Sequence, residues 1–199
     1  FEQAQLAIDK LTLEEKQLPI IQGLQGRLWL QNKSYEKALS RLQYVYSHQP
    51  TSINASFVYA ALTGLGKSAQ ALAFIEKHKN AFGGDFLING LIAGALIDSD
   101  TVKSRSYYLD LHKEQPENIF VLNNLAWVEY LLGNYQDADG LITKALVLKA
   151  NDPDILDTAA LIKIKLGEHK QAKLLLEKAI KLAPDNGDII KHYNEVKHL

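Results

Sequence analysis

The sequence has 199 residues, of which 47% are hydrophobic and 23% charged, a balance typical of ordinary soluble proteins that excludes a disordered chain. Its 22 basic and 23 acidic residues nearly cancel, so charge gives no reason to expect binding to nucleic acid or to an anionic membrane. The absence of cysteine excludes a disulfide framework and thiolate chemistry.

The longest uncharged stretch, residues 86–97, is too short to span a bilayer, which needs about 20 apolar residues. The sequence begins at Phe1 and contains no methionine, so we expect it to be part of a longer polypeptide in which any signal peptide or lipid anchor lies upstream. These features leave the cellular compartment unknown.

The first residues of the chain carry an amphipathic pattern that has no partner helix before it. Ala4, Ile8 and Leu11 have the spacing of one helical face. We expect residues 1–16 to be the second half of a truncated repeat, with an exposed apolar face that can pair with another copy of the chain.

From residue 17 onward a small residue recurs every 33 or 34 residues, at Ala38, Ala71, Ser104, Ala138 and Ala172. A bulky residue follows each by four positions, on the same helical face, and the helix then ends at Pro50, Gly83, Pro116, Ala150 or Pro184. This period predicts five repeats of two helices each and a capping helix, at 17–50, 51–83, 84–116, 117–150, 151–184 and 187–199.

Each repeat has a first helix before the helix of the small residue. In the fourth repeat Leu122, Leu125 and Ala126 lie on one face of this first helix. Gly133 and, in the fifth repeat, Gly167 are predicted to end it, because glycine accepts a left-handed conformation.

Two local signals refine the helix boundaries. Asp152 and Pro153 are predicted to be the N-cap and the first residue of a helix, where the missing N–H of proline costs nothing. The third repeat lacks a glycine between its helices and reads "IDSDTVKS" at 97–104, so we expect an irregularity there.

These repeats resemble the tetratricopeptide repeat (TPR), whose 34-residue pattern has Trp-x-x-Leu-Gly-x-x-Tyr on a first helix and Ala-x-x-x-Phe, Ala and Pro on a second. The first and fifth repeats carry it in Gly26, Trp29, Tyr35, Ala38, Leu42 and Pro50, and in Gly167, Ala172, Leu176, Ala179 and Pro184. The resemblance implies an all-α fold over 1–199, a right-handed superhelical α-solenoid of antiparallel helical hairpins with about 11–12 helices. It also implies a concave groove, lined by the first helices, that binds protein segments.

A narrower resemblance covers "NNLAWVEYLLGNYQDA" and "NDPDILDTAALIKIKLGEHKQAKLLLEKAIKLAPDN". These segments are similar to the C-terminal repeats of TPR lipoproteins that accompany bacterial exosortase systems. The similarity implies a lipid-anchored bacterial protein of the periplasm or envelope, in an exopolysaccharide or surface-sorting assembly. Without it, a cytoplasmic location is equally open.

Side chains on the first helices that lie outside the packing stripe are the candidates for the groove: Arg27, Phe86, Asn89, Phe120, Asn123, Trp127, Tyr130 and Asp157. Our hypothesis is that Asn89 and Asn123 bond the main chain of an extended peptide while Phe120 and Trp127 hold its side chains. The alternative for Trp127 is packing against the next hairpin. Arg27 is the one groove cation, so the two-cation grip on a chaperone's acidic tail, known in TPR proteins, is not expected.

The sequence predicts a non-catalytic protein without a metal or other cofactor. None of its six histidines (His48, His78, His112, His169, His192, His198) forms an i,i+4 pair of the kind that binds zinc. The first three fall near predicted helix C-termini, where an imidazolium complements the helix dipole. The run "GLGKSAQA" lacks the first glycine of a phosphate-binding loop and a preceding strand, so it predicts a turn between helices.

The predicted partner is therefore a peptide or protein segment, and two alternatives stay open. Self-association into a homodimer would use the apolar face of residues 1–13. RNA binding needs lysines or arginines along the groove, whereas the predicted groove carries mainly Asn, aromatic and acidic side chains.

Overall fold

The computed structural model describes residues 2–197, and this part of the chain contains thirteen α-helices and no β-strand. The all-α prediction is confirmed. The helices are α1 Glu2–Asp9, α2 Leu13–Gln17, α3 Pro19–Gln31, α4 Tyr35–His48, α5 Ser52–Gly64, α6 Ser68–Phe82, α7 Phe86–Ala95, α8 Thr101–Glu114, α9 Ile119–Leu131, α10 Tyr135–Leu148, α11 Pro153–Lys165, α12 His169–Leu182 and α13 Gly187–Val196.

Internal contacts divide the chain into two compact units, with the boundary in the sequence between Ala95 and Leu96. In the first unit α3 pairs with α4 and α5 with α6, while α1 and α2 pack on α3, and α7 on α5 and α6. In the second unit α9 pairs with α10 and α11 with α12, while α8 packs on α9 and α13 on α12. The boundary comes just before the segment "IDSDTVKS", where the sequence predicted an irregularity.

Helix α2 is the element that raises the count above the predicted 11–12. Its N-terminus is a capping box, in which the Thr12 hydroxyl accepts from the Glu15 amide at 3.2 Å and the Glu15 carboxylate accepts from the Thr12 amide at 2.8 Å. The helix ends at Gln17 because Leu18 precedes Pro19 and adopts an extended ψ of 132°. Pro19 then begins α3.

The prediction that residues 1–13 expose the face of Ala4, Ile8 and Leu11 is wrong for Ile8, which is 6% exposed. Helix α1 packs against α3, because the chain turns back through α2 instead of leaving α1 without a neighbour. Leu11 lies beyond the end of α1. Ala4 is exposed as predicted, and the large apolar side chains exposed in this region are Leu6 and Leu13.

Left-handed residues end the first helix of the hairpins. Gly133 has a φ of 82° and Gly167 a φ of 78°. The Asn134 amide donates to the Glu129 carbonyl at 2.9 Å, the bond that closes a Schellman motif, and the turn at Gly167 contains the equivalent bond. The prediction for both glycines is confirmed.

Lys33 occupies this left-handed position in the first hairpin, with a φ of 57°, and is the one non-glycine residue of positive φ within 2–197. The Ser34 amide donates to the Trp29 carbonyl at 2.8 Å, so the turn has the same hydrogen bond as the glycine turns. Lys33 therefore bears a steric cost that glycine avoids.

The small residue of each repeat is fully buried, as the spacing predicts. Ala38, Ala71, Ser104, Ala138 and Ala172 are at most 1% exposed, and the bulky residues four positions later are at most 3% exposed. Close approach of helix axes at the small side chains positions the bulky ones in the adjacent grooves.

Side-chain caps begin α5, α9, α11 and α13, whereas α3 has none. The Asp152 carboxylate accepts from the amides of Asp154 and Ile155 at 3.0 and 3.2 Å, and Pro153 is the first helical residue, which confirms the prediction for this pair. The same role falls to Thr51, Asn118 and Asn186.

A polar network inside the first unit centres on His78. Its side chain is 2% exposed, its Nδ1 lies 2.9 Å from the Tyr46 hydroxyl, and its Nε2 lies 3.4 Å from the Ser52 hydroxyl. Burial lowers the pKa of His78, and the charge of Asp85 offsets part of that fall. The neutral imidazole is favoured, so the dipole role predicted for this histidine is wrong.

Replacing Lys33 by glycine should raise the free energy of unfolding by about 0.5–1 kcal/mol, because glycine adopts the left-handed conformation without a Cβ clash. Gln43→Gly, at an exposed interior position of α4, should instead lower it by about 1 kcal/mol. Urea unfolding followed by circular dichroism measures both, and equal destabilisation by the two variants would contradict the prediction.

Acidification should destabilise the fold through His78. Because the folded pKa of His78 lies below its unfolded value, the stability contributed by the neutral imidazole is fully present above that unfolded value of about 6.5. It is lost progressively as the pH falls from there through the folded pKa. Urea unfolding at pH 7.5 and pH 5 should show a smaller loss for His78→Gln than for the wild type. Tyr46→Phe keeps the imidazole and should keep the loss; a wild-type loss in His78→Gln would refute the assignment.

Candidate functional site

Four of the predicted groove residues lie on one face of α9, in the second unit. Phe120, Asn123, Trp127 and Tyr130 are spaced by three or four residues, and Phe120 is 54% exposed while the other three are half-buried. The rest of the helix faces the core through Val121, Leu122, Leu125, Ala126 and Val128. Helix α9 thus presents a mixed aromatic and amide stripe beside its apolar face.

The aromatic side chains of this stripe contact each other. The rings of Trp127 and Tyr130 are stacked, with centroids 4.9 Å apart and an angle of 15° between their planes. Tyr130 also contacts Tyr135 of α10 at 5.8 Å. We define these three residues as the aromatic surface. Its rings hold one another in place, which leaves less side-chain entropy to lose on binding a ligand.

Asn123 carries an unpaired polar atom beside the aromatic surface. Its Oδ1 is buried and has no hydrogen-bond partner among residues 2–197. Asn89, which occupies the same repeat position in α7 of the first unit, has an unpaired buried Oδ1 as well. A buried acceptor without a partner is unfavourable for the folded chain. Stability alone therefore does not explain why asparagine occupies these two positions.

The far side of α9 is held by a half-buried ion pair, in which the Arg105 side chain is 38% exposed. The Glu129 carboxylate, 2% exposed, accepts from Arg105 Nε at 2.7 Å and from Asn134 Nδ2 at 2.7 Å. These two charge-assisted hydrogen bonds hold α9 against α8 and against its own turn. Sequence reasoning missed this pair, although Glu129 falls in the apolar stripe at 122, 125, 126 and 129, and a charge in a buried stripe signals a partner.

Asp157 has a partner that the sequence did not predict. Its carboxylate lies 2.8 and 3.0 Å from Nδ1 of His192, which belongs to α13. Burial raises the pKa of Asp157, and the hydrogen bond and charge of His192 offset part of this rise. The carboxylate therefore joins α11 to the capping helix before any ligand binds.

The other three candidates lie in the first unit. Phe86 and Asn89 are half-buried near the start of α7. Arg27 is exposed on α3, with its Cζ 5.6 Å from the centroid of the Phe57 ring and its Nε donating to the Gly23 carbonyl at 3.3 Å. Arg27 and Phe57 belong to successive first helices of the first unit, α3 and α5.

The residues expected to have no catalytic role were also located. Gly66 of "GLGKSAQA" has a φ of 72° and lies in the turn between α5 and α6, so the predicted turn is confirmed. His112 lies in the last turn of α8; burial and then Lys144 lower its pKa, which disfavours the imidazolium that the dipole role requires. Within residues 2–197 no three His, Asp or Glu side chains form a metal site. His198 lies outside the described residues.

None of the described helices is both long and apolar enough to cross a membrane. Residues 153–186, which contain α11 and α12, match the tetratricopeptide repeat family model. A comparison with curated proteins gave no match.

Solved structures share the fold. A thermophilic TPR protein of Thermus thermophilus, TTC0263, is 17% identical with a TM-score of 0.74, over 91% of this chain and 100% of that one. A tetratricopeptide repeat protein of Parabacteroides merdae ATCC 43184 is 14% identical with a TM-score of 0.69, over 90% and 72%. MamA AMB-1 is 17% identical with a TM-score of 0.61, over 82% and 97%. The chain therefore has the fold of tetratricopeptide repeat proteins, and its residues 153–186 form a tetratricopeptide repeat.

Proposed function

We propose that this protein is a non-catalytic scaffold that binds an extended peptide segment of a partner protein along α9. The TPR fold supports a protein-interaction scaffold in general, and TPR proteins are generally non-catalytic. The observation that carries the proposal is the stacked pair of Trp127 and Tyr130 beside Asn123, on a stripe of α9 that is not part of the buried core.

The aromatic surface provides the anchoring area for the peptide's side chains. Indole and phenol rings bury a large area at the cost of few rotatable bonds, and they dominate the energy of many protein interfaces. Neither the indole N–H of Trp127 nor the hydroxyl of Tyr130 has a hydrogen-bond partner within the described part of the chain, so both can bond a ligand. Phe120, 54% exposed one helical turn before Asn123, extends the apolar area.

Asn123 provides the contact to the peptide main chain. A carboxamide offers a donor and an acceptor, which match the C=O and N–H groups of an extended peptide. Its Oδ1 is buried without a partner, so a ligand donor that reaches this atom would supply the hydrogen bond that the folded chain lacks. Asn89 has the same property and serves the surface of its own unit in the same way.

The charges near α9 favour a peptide over RNA. Phe120, Asn123, Trp127 and Tyr130 include no cation, and Asp157 of the next first helix is acidic. An RNA backbone needs phosphate-neutralising groups along its path, and binding would fall steeply with salt. A weakly polar, salt-insensitive peptide interface is the better match.

Self-association is a second candidate function, favoured by the exposure of Leu6 at 59% and Leu13 at 81%. These side chains lie at the N-terminal end of the first unit, away from α9 in sequence. Light scattering on the wild-type chain and on a Leu6→Ser, Leu13→Ser double variant tests it: a dimer that the double variant abolishes supports self-association, and a monomeric wild-type chain refutes it.

The proposed setting in a bacterial envelope or exopolysaccharide-sorting assembly rests on the resemblance of residues 123–138 and 151–186 to exosortase-associated TPR lipoproteins. Mass spectrometry of the full-length protein from its native cells tests it. A lipid-modified N-terminus would support the setting, and an unmodified one would refute it.

Peptides selected from a random displayed library against the wild-type chain should bind Asn123→Ala and Trp127→Ala at least about tenfold more weakly. The physical reason is the loss of a main-chain hydrogen bond in the first variant and of the anchoring ring in the second. Isothermal titration calorimetry with the synthetic peptides measures the affinities.

Asn80→Ala, at an exposed position on α6, is the matched control and should leave these affinities unchanged. Circular dichroism should show that all three variants remain folded. Unchanged affinity of the selected peptides for both α9 variants would rule out the proposed site.

A further inference from the structure

A cavity of about 210 Å³ lies in the first unit, between α3, the second half of α4 and the start of α5. Leu42 and Val45 form its floor and are 3% and 6% exposed, and Phe57 forms one wall. A dry cavity of about 150 Å³ in a protein interior holds a benzene ring, so this one can hold a ring with a short side chain.

Arg27 supplies the one charge among the described residues that line this cavity. Its guanidinium carbon lies 5.6 Å from the centre of the Phe57 ring, and its Nε is bonded to the Gly23 carbonyl. No carboxylate of the described chain forms an ion pair with its terminal N–H groups. A guanidinium held on an aromatic ring at the edge of an apolar cavity is suited to a carboxylate, which it bonds with two parallel N–H groups.

Gly23 keeps the cavity open, although helix packing does not require glycine there. A Cβ on Gly23 would lie 3.7 Å from Cγ2 of Val45, an ordinary contact. Gly26 differs, because a Cβ there would lie 2.9 Å from the Leu42 side chain. Glycine inside a helix is less stable than alanine, so Gly23 carries a cost that helix packing does not explain.

The repeat register places this cavity on the side of the first helices that is expected to meet ligands. Ile20, Gly23 and Arg27 stand 100 residues, or three repeats, before Phe120, Asn123 and Trp127. The same three positions therefore carry an amide and an aromatic ring in the fourth repeat, but an open space and a cation in the first.

We propose that this cavity binds a small apolar carboxylic acid, with its ring or branched chain on Leu42 and Val45 and its carboxylate on Arg27. The proposal does not depend on peptide binding by the second unit. A free acid fits the cavity better than the end of a polypeptide does. Pro19 at the rim has no N–H, and Nδ2 of Asn54 already donates to the Gln49 carbonyl at 2.8 Å. The backbone N–H and C=O groups of a bound peptide would therefore find few hydrogen-bond partners where the peptide leaves the cavity.

The probe for this site is 3-phenylpropionate, titrated into the full chain and followed by the amide chemical shifts of Gly23 and Phe57. We expect saturable binding with a dissociation constant on the order of 1 mM. The neutral 3-phenylpropionamide should bind about tenfold more weakly, because it lacks the charge-assisted hydrogen bonds. Phenylalanine should also bind more weakly than the acid, since its ammonium group meets the Arg27 cation and none of the described lining residues is an anion.

Two variants separate ligand binding from structure. Arg27→Gln should reduce binding of the acid to the level of the amide, whereas Lys37→Gln, which removes the same charge from an exposed position of α4, should leave it unchanged. Gly23→Ala should weaken binding by about threefold and at the same time raise the midpoint of thermal unfolding. A glycine with a purely structural role would not give opposite changes in affinity and stability.

Equal affinities for the acid and its amide, the absence of saturable shifts, or full affinity in both Arg27→Gln and Gly23→Ala would overturn the proposal. A hexapeptide with a free C-terminal phenylalanine, measured beside its amidated twin, distinguishes the source of the carboxylate. If the free hexapeptide binds more tightly than 3-phenylpropionate while the amidated hexapeptide does not, the cavity binds the C-terminus of a polypeptide. That result would also overturn the proposal.

Discussion

Close contact at one small side chain per repeat is the constraint on which the rest of this structure depends. Ala38, Ala71, Ser104, Ala138 and Ala172 are at most 1% exposed, so a larger side chain at any of them would force the helices apart. Because this contact fixes which stripe of each helix faces its neighbours, it also fixes which stripe of each first helix stays outside the core. Binding residues can then vary on that outer stripe without disturbing the packing that holds the hairpins together.

Charge pairs of alternating sign add order to this packing in the second unit. Arg105 on α8 pairs with Glu129 on α9, and 34 residues later Asp139 on α10 pairs with Lys163 on α11 at 2.8 Å. Burial lowers the pKa of Lys163, but hydrogen bonds with Asp139 and Glu168 outweigh it and raise the pKa overall. If the hairpin of α11 and α12 exchanged places with the hairpin of α9 and α10, Lys163 would take the position of Glu129. Arg105 would then face a second cation at a partly buried position. The reversed order of cation and anion in the two successive interfaces therefore favours one order of the repeats. The apolar surfaces are similar in each repeat and would not distinguish that order.

The sequence predicts those parts of the fold that repeat, because period and turn chemistry are local signals. The small residues, the turns at Gly133 and Gly167 and the cap at Asp152 all follow from spacing and residue type. Helix α2 was missed because a five-residue helix has no period to read, and its capping box at Thr12 and Glu15 is a short signal. Hydrogen bonds between side chains of separate helices could not be predicted from the sequence: the candidate-site residue Asp157 and His192 are 35 residues apart, and Tyr46 and His78 in the first unit are 32 apart. Such pairs depend on how side chains of separate helices lean toward each other, which periodicity does not encode.

The two proposed ligand surfaces differ at equivalent positions of the repeat, so few substitutions would be needed to change the ligand that a repeat binds. At equivalent positions of the first and fourth repeats stand Gly23 and Asn123, and Arg27 and Trp127. In the two proposals, glycine leaves room for a ligand beside Leu42 and Val45, whereas asparagine contributes a carboxamide to the peptide site. The guanidinium of Arg27 would favour an anion, whereas the indole of Trp127, stacked on Tyr130, would favour an apolar side chain. None of these four residues is one of the small residues at the helix contact. The residues at these positions can therefore differ between repeats while the spacing of 33 or 34 residues is kept.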